Sequence, residues 1–187
     1  HQGVVGELTR LTEAGIKMYF IHGNRDFHVD GSFQRRTGVR VLGDSAEVNI
    51  AGRRALLMHG DMLCADDMHY HSYRRFARSP VGRSLFKALP IAARRLLAKC
   101  MTRASSIGER SGETGAQWSI SEREVMAVFQ AGYDMLVCGH VHIPGVHRWT
   151  VNGVEKVLYV LGDWDDHGTY LECDKETLRM KDAFGDR

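Results

Sequence analysis

Three apolar runs of this chain end abruptly in glycine and in side chains that bind metals or phosphates. They read "YFIHGNRDF" from Tyr19, "LLMHGD" from Leu56 and "LVCGHVH" from Leu136. Together they collect Asn24, Arg25, Asp26, His59, Asp61, His140 and His142. Imidazoles with hard oxygen donors suit Mn²⁺, Fe²⁺, Zn²⁺ or Ni²⁺, and suit neither Ca²⁺ nor an iron–sulfur cluster. Groups at the carboxyl ends of strands converge on one edge of a sheet, where open α/β folds bind their ligands. A glycine beside each donor lets the backbone turn sharply off the strand, so the side chain enters the cleft. The last run is the densest, with three histidines in the ten residues "CGHVHIPGVH". His140 and His142 stand two apart there, and Val141 between them is expected to point away from the cleft.

The elements that must carry these groups follow from periodicity. Val4, Val5, Leu8 and Leu11 form a helical stripe over 3–14, Gly15 stops it, and "IKMYFI" follows as a strand over 16–21. "EVNIAGRRALLMHGD" reads as a hairpin with strands 46–50 and 54–59 about a turn at Ala51-Gly52. "SLFKALPIAARRLLAKCMTR" is amphipathic, with Leu85, Phe86, Leu89, Leu96 and Leu97 on its apolar side. Pro90 lacks an N–H and clashes with the preceding turn, so it divides this stretch into two short helices. "SSIGERSGETGAQ" reads as a flexible loop. "SISEREVMAVFQAG" is a capped helix, with Ser119 or Ser121 as N-cap, Glu122 or Glu124 three residues on, and Gly132 as the stop. A strand over 134–138 leads into the histidine run. Asn152-Gly153 marks a second hairpin, and "TYLECDKETLRMKDA" reads as a third. The sum is an α/β fold with an antiparallel part, its core in 1–69 and 119–187 and a helical insertion over 70–118. The chain opens in mid-helix without an initiator Met, and further sequence is expected upstream.

Composition narrows the class. Of 187 residues, 43% are hydrophobic and 26% charged, as in soluble globular domains. No apolar stretch approaches the ~20 residues of a membrane span, and no signal-peptide pattern is visible. Cys64, Cys100, Cys138 and Cys173 are widely spaced and read as reduced thiols of a cytosolic protein rather than a disulfide framework. The net charge of +2 conceals an asymmetry: Arg74 to Arg103 holds nine Lys/Arg and no Asp or Glu, leaving the remainder at −7. A basic block of that size argues for an anionic partner.

"GNRD", "HGD" and "GHVH", in this order and each after a strand, resemble the later blocks of the calcineurin-like metallophosphoesterases. More narrowly, "FIHGNRDF", "LLMHGDMLCADD", a basic helical insertion containing "LFKALP", then "CGHVHIPGVH" and "VLGDW" resemble the UDP-2,3-diacylglucosamine diphosphatases of lipid A biosynthesis. Arg25, where other metallophosphoesterases have His after the Asn, is part of that likeness, which covers nearly the whole chain. The resemblance implies a metallophosphoesterase-type α/β/β/α sandwich with a helical lid over 70–118, N-terminally incomplete. The family's D-x-H and G-D blocks, carried on two earlier strands, do not precede "GNRD". Asp67-Met68-His69 spells D-x-H after the "HGD" block and is read as a decoy. Gly162-Asp163 follows a strand-like run, but at the wrong end of the domain.

The resemblance further implies a two-metal site holding Mn²⁺. Asn24, His59 and His140 would bind one metal and His142 the other. Arg25 would hold a phosphate through its bidentate guanidinium, and Asp67 would touch substrate. Ser105, or its neighbour Ser106, would match a lid serine that holds the nucleotide sugar. Asn24 and His140 would also meet substrate, His140 beside the reacting phosphorus as the catalytic residue. The implied reaction is in-line attack of a metal-bound hydroxide on the α-phosphate, splitting the pyrophosphate to UMP and a lipid monophosphate. His22 and Asp26 are read as groups that orient ligands, Asp61 as a hydrogen-bonding residue, and His69, His71 and His147 as structural or surface residues.

For the basic insertion, a lid is favoured whose apolar faces hold acyl chains and whose Arg and Lys meet anionic headgroups. That places the protein peripherally on the inner face of the cytoplasmic membrane, with a UDP-linked lipid as substrate. A nucleic-acid groove is disfavoured, because only Phe76 and Phe86 interleave the basic residues. Two rival functions stand beside the favoured one: a metallophosphoesterase for another phosphodiester, such as a nucleotide or nucleic acid, and a metal-free scaffold that binds a partner protein.

Overall fold

The computed structural model describes residues 2–24, 26, 29–64, 79–90, 92, 93, 96, 120–164, 168–174 and 177–185. The chain forms two compact units, His1–Ala65 with Ile120–Arg187, and Asp66–Ser119.

The first unit opens with α1 (Gln2–Glu13), β1 (Tyr19–Ile21), α2 (Gly31–Thr37) and β2 (Arg40–Gly43). Strands β1 and β2 pair in parallel. Helix α2 and strand β2 went unread in the sequence, although Asp30 and Gly38 punctuate them. The Asp30 carboxylate accepts the Ser32 N–H at the N-cap, and Gly38 closes the helix in the left-handed region.

A five-stranded sheet follows, built from β3 (Ser45–Ile50), β4 (Arg53–Met58), β5 (Met135–Cys138), β6 (Gly145–Val151) and β7 (Val154–Val160) in the spatial order β3-β4-β5-β7-β6. The central strands β4, β5 and β7 are parallel, and the edge strands β3 and β6 return antiparallel through their hairpins. Both hairpin turns take the expected residues in the left-handed region, Ala51-Gly52 and Asn152-Gly153.

Alternation along the parallel strands feeds two cores. Leu56, Leu136, Cys138, Leu158 and Val160 pack with Val125 and Phe129 of α4 (Glu122–Gln130). Ala55, Met135, Val137, Val157 and Tyr159 form the opposite face, against Leu171, Leu178 and Met180 of the hairpin β8 (Thr169–Cys173) and β9 (Leu178–Asp182). Burial on both faces explains why the carboxyl halves of the central strands, Ala55–Met58 and Val157–Val160, and all of β5 are unbroken apolar runs. The unit is thus α/β, with helix, sheet and hairpin stacked in layers. Ser121 occupies the N-cap of α4 without the side-chain cap bond expected of it.

The second unit contains α3 (Pro80–Ala88), whose Ser79 hydroxyl accepts the Gly82 N–H at the N-cap. It begins four residues before the Ser84 start read from "SLFKALP", because a Ser-Pro pair is a strong helix opening. It ends before Pro90 as expected. Val81, Leu85 and Leu89, one helical turn apart, are 63%, 57% and 38% exposed.

Candidate active site

Because β4, β5 and β7 run parallel and in close register, their carboxyl ends reach one edge together. His59 follows β4, Gly139 to His142 follow β5, and Leu161 to Asp163 follow β7. The exits are stitched by backbone bonds: Gly139 N–H donates to the His59 carbonyl at 2.9 Å, and Leu161 N–H to the Cys138 carbonyl at 2.7 Å.

Two glycines permit the approach. Gly60 sits at φ +113°, and a Cβ there would lie 2.9 Å from the Gly139 carbonyl oxygen and 3.3 Å from the His140 Cβ. Gly23, at the end of β1, leaves no room either: a Cβ would come 3.3 Å from the His59 ring and 2.7 Å from Asp26 Oδ2. The turn bearing Asn24 therefore rests on the His59 imidazole. Asp26 closes that turn by accepting the Gly23 N–H at 3.2 Å.

The histidines meet in pairs. His140 Nδ1 and His59 Nε2 face each other at 3.2 Å, with the rings edge to face at 5.0 Å. His142 Nδ1 lies 3.1 Å from Asp163 Oδ2. His140 (φ 74°) and His142 (φ 60°) both occupy the left-handed region, which elsewhere among the described residues holds non-glycine side chains only at the hairpin turns. That conformation costs an L-residue about 1–2 kcal/mol, and such strain concentrates at functional sites. Val141 packs against the α4-side core, so the turn sends its two histidines away from the interior.

Imidazole and carboxylate fit a borderline divalent metal in kind. Two donors about 2.0–2.1 Å from one ion, at tetrahedral to octahedral angles, stand about 2.8–3.4 Å apart. The 3.2 Å between His140 Nδ1 and His59 Nε2 falls in that range, while the His142–Asp163 contact is a hydrogen bond through Nδ1 that leaves Nε2 as the outer nitrogen. Among the described residues, however, no three His, Cys, Asp or Glu side chains gather in a group that could hold a metal. The donors converge two at a time, short of a full coordination shell.

Other expected residues fall differently. Arg25, Asp67 and Ser105 lie outside the described residues, as do His69 and His71. His22 is buried, with Nδ1 3.2 Å from the Gly43 carbonyl and Nε2 2.6 Å from the Val29 carbonyl. Its ring thereby ties the end of β1 to its neighbours. Asp61 is buried in the short 3₁₀ turn after His59. His147 lies on β6 beside Trp149, as a surface residue. Burial pushes the Cys138 thiol up to about 12 and the Cys64 thiol up to about 11, so neither offers a thiolate near neutral pH.

Asp163 is the residue whose place the sequence reading misjudged. Its run "YVLGDW" carries the same apolar-Gly-polar punctuation as the other three. Read along the chain it belongs to the far end of the domain, but β7 lies beside β5 and delivers it to His142.

No family model matches the chain. A UDP-2,3-diacylglucosamine hydrolase of Pseudomonas putida (strain W619) is 35% identical over 96% of this chain and 75% of its own length. One of Ectopseudomonas mendocina (strain ymp) is 38% identical over 92% of this chain and 72% of its own. Among solved structures, wild-type Vps29 complexed with zinc from Entamoeba histolytica aligns over 98% of this chain and 88% of its own, at 13% identity and a TM-score of 0.39. That likeness is too loose to weigh, and the sequence relatives decide the matter. With identity of this order over nearly the whole chain and about three quarters of each relative, the chain belongs to the UDP-2,3-diacylglucosamine hydrolase family.

Proposed function

We propose that this protein is a metal-dependent hydrolase that splits the pyrophosphate bond of UDP-2,3-diacylglucosamine into UMP and the lipid monophosphate, with Mn²⁺ as its resident metal. The observation that carries the reading is the coincidence of two facts. The relatives are named for hydrolysis of this substrate, and the parallel strand ends bring His59 to His140 at a ligand-to-ligand separation, with His142 on the same edge beside Asp163.

A divalent metal, when bound, supplies an activated water and neutralises phosphoryl charge. The chain's own residues have separable tasks. His59 and His140 would hold one ion, with Asn24 on the turn that packs against His59. His142 would hold a second. His140, strained at φ 74°, would stand beside the reacting phosphate. Arg25, Asp67 and Ser105 would contact the phosphate, substrate and nucleotide sugar, as the resemblance implies.

For the lipid part of the substrate, the reading is supported by the surface chemistry of the second unit taken by itself. Val81, Leu85 and Leu89 are exposed along α3, inside a segment with nine Lys/Arg and no acid between Arg74 and Arg103. An exposed apolar stripe within a basic segment suits acyl chains and an anionic bilayer surface. Hence the proposed location is peripheral, on the inner face of the cytoplasmic membrane. Among the described residues no helix is long and apolar enough to cross a membrane.

The test measures UMP release from UDP-2,3-diacylglucosamine in mixed micelles while Mn²⁺ is titrated. Turnover should require the metal and fall at least ~100-fold in His59→Ala and His142→Ala with the fold retained. Undiminished turnover in either variant would remove the metal assignment. Equal rates on a lipid-free phosphodiester would remove the substrate assignment.

A further inference from the structure

The bond between His142 and Asp163 is directional in a way that matters for metal binding. It uses Nδ1, the ring nitrogen nearer the backbone, at 3.1 Å from Oδ2. A neutral imidazole carries one proton, and whichever nitrogen donates leaves the other with the lone pair. An unrestrained histidine prefers the proton on Nε2, which would leave the donor lone pair on the less accessible Nδ1.

We propose that Asp163 is a positioning residue: its carboxylate accepts the Nδ1–H of His142, holds the ring in that tautomer, and so makes Nε2 the atom offered to a metal. The metal part of this inference rests on the function proposed above; the tautomer part does not.

Three features of the structure support it. The loop bearing Asp163 is fixed relative to the histidine turn, since Leu161 bonds to the Cys138 carbonyl and the Gly162 N–H donates to Thr169 Oγ1 at 2.6 Å. At Gly162 the loop also presses on Pro144: a Cβ there would lie 3.2 Å from Pro144 Cδ. The His142 side chain is 59% exposed, so packing alone would leave the ring free to rotate, and Asp163 supplies the restraint. Finally, His142 holds a left-handed backbone at φ 60°, which aims the side chain but fixes neither ring rotation nor tautomer. A carboxylate on the nitrogen opposite the metal also raises ligand basicity, and losing such a partner typically weakens metal affinity 10–100-fold.

The experiment is a long-range ¹H–¹⁵N correlation on the metal-free protein in EDTA at pH 8, with His142 assigned from the spectrum of His142→Gln. Wild type should show a protonated Nδ1 and a bare Nε2. Asp163→Ala should move His142 toward the Nε2–H form with the remaining spectrum preserved. A wild-type His142 already in the Nε2–H form overturns the proposal, and that reading needs no variant to fold.

Co²⁺ binding by equilibrium dialysis supplies the second measurement. Asp163→Ala should bind 10–100-fold more weakly, with its visible absorption bands at saturation unmoved, because the ligand set is intact. Bands that shift would make Asp163 a ligand itself and overturn its role as a positioning residue. A wild-type protein that binds no Co²⁺ would count against the proposed function, leaving the tautomer measurement to decide this inference alone.

Discussion

The left-handed backbone at His142 can be weighed by comparing two truncations of the same side chain, His142→Ala and His142→Gly. Both variants lose the ring, its bond to Asp163 and its contribution to metal binding, so those losses cancel. The side chain is 59% exposed and little packing disappears with it. What differs is the backbone. At φ 60° an alanine retains the Cβ clash, about 1–2 kcal/mol. Glycine escapes the clash but has the more flexible unfolded chain, which returns about 0.4–1 kcal/mol. The expected net is that His142→Gly is the more stable by about 0.5–1 kcal/mol. For a chain of 187 residues this corresponds to about 1–4 °C in thermal midpoint. Melting both variants side by side in EDTA keeps metal linkage out of the comparison. An alanine variant as stable as the glycine variant, or more so, would refute the argument that this histidine is held under strain.

Three further predictions follow from other contacts. Gly60→Ala should destabilise the protein by more than about 2 kcal/mol, because it meets both an unfavourable φ and the Gly139 carbonyl; a midpoint within a degree of wild type would contradict this. Asp134 is held below the usual carboxylate range by the Lys156 ammonium at 2.8 Å and by the Arg54 backbone N–H. Its folded pKa lies below its unfolded one, so its contribution is complete above the unfolded value of about 3.9 and disappears as pH falls through the folded value. Asp134→Ala, which strands the nearly buried Lys156, should therefore cost about 2–3 kcal/mol at pH 7 and progressively less below about pH 4. Urea titrations at pH 7 and pH 3 check this, and a cost that does not change with pH would sink it. Last, iodoacetamide at pH 8 should label exposed Cys173 well before Cys138 and Cys64, whose thiols are pushed up to about 12 and about 11. Peptide mapping reads the order, and early labelling of Cys138 would contradict the burial described.

Local signals in the sequence determined most elements of this protein. The hairpin at Ala51-Gly52, the hairpin at Asn152-Gly153 and the stop at Gly132 depend on which residues tolerate a positive φ, a property each position carries without its neighbours' help. The apolar runs that end β4, β5 and β7 marked these segments as strands, and their lack of alternation agrees with the burial of both sheet faces. Helix α2 escaped notice because seven residues are too few for periodicity to show, although its caps were written at Asp30 and Gly38. Asn24, His59, His140 and His142 stood out because donors clustered with glycine at the ends of apolar runs are conspicuous in one dimension.

Tertiary structure decided which of those donors meet. That His59 faces His140 depends on β4 lying directly beside β5, a pairing between segments about eighty residues apart. The contacts of His22 are likewise set by the fold, since parallel pairing of β1 with β2 puts the Gly43 carbonyl against its ring. Asp163 was discounted for its position along the chain, and the placement of β7 next to β5 carried it to His142. Residue type and spacing are properties of the chain alone. Proximity is a property of strand order, and strand order follows from the burial of whole sheet faces, to which every strand contributes and which no single motif records.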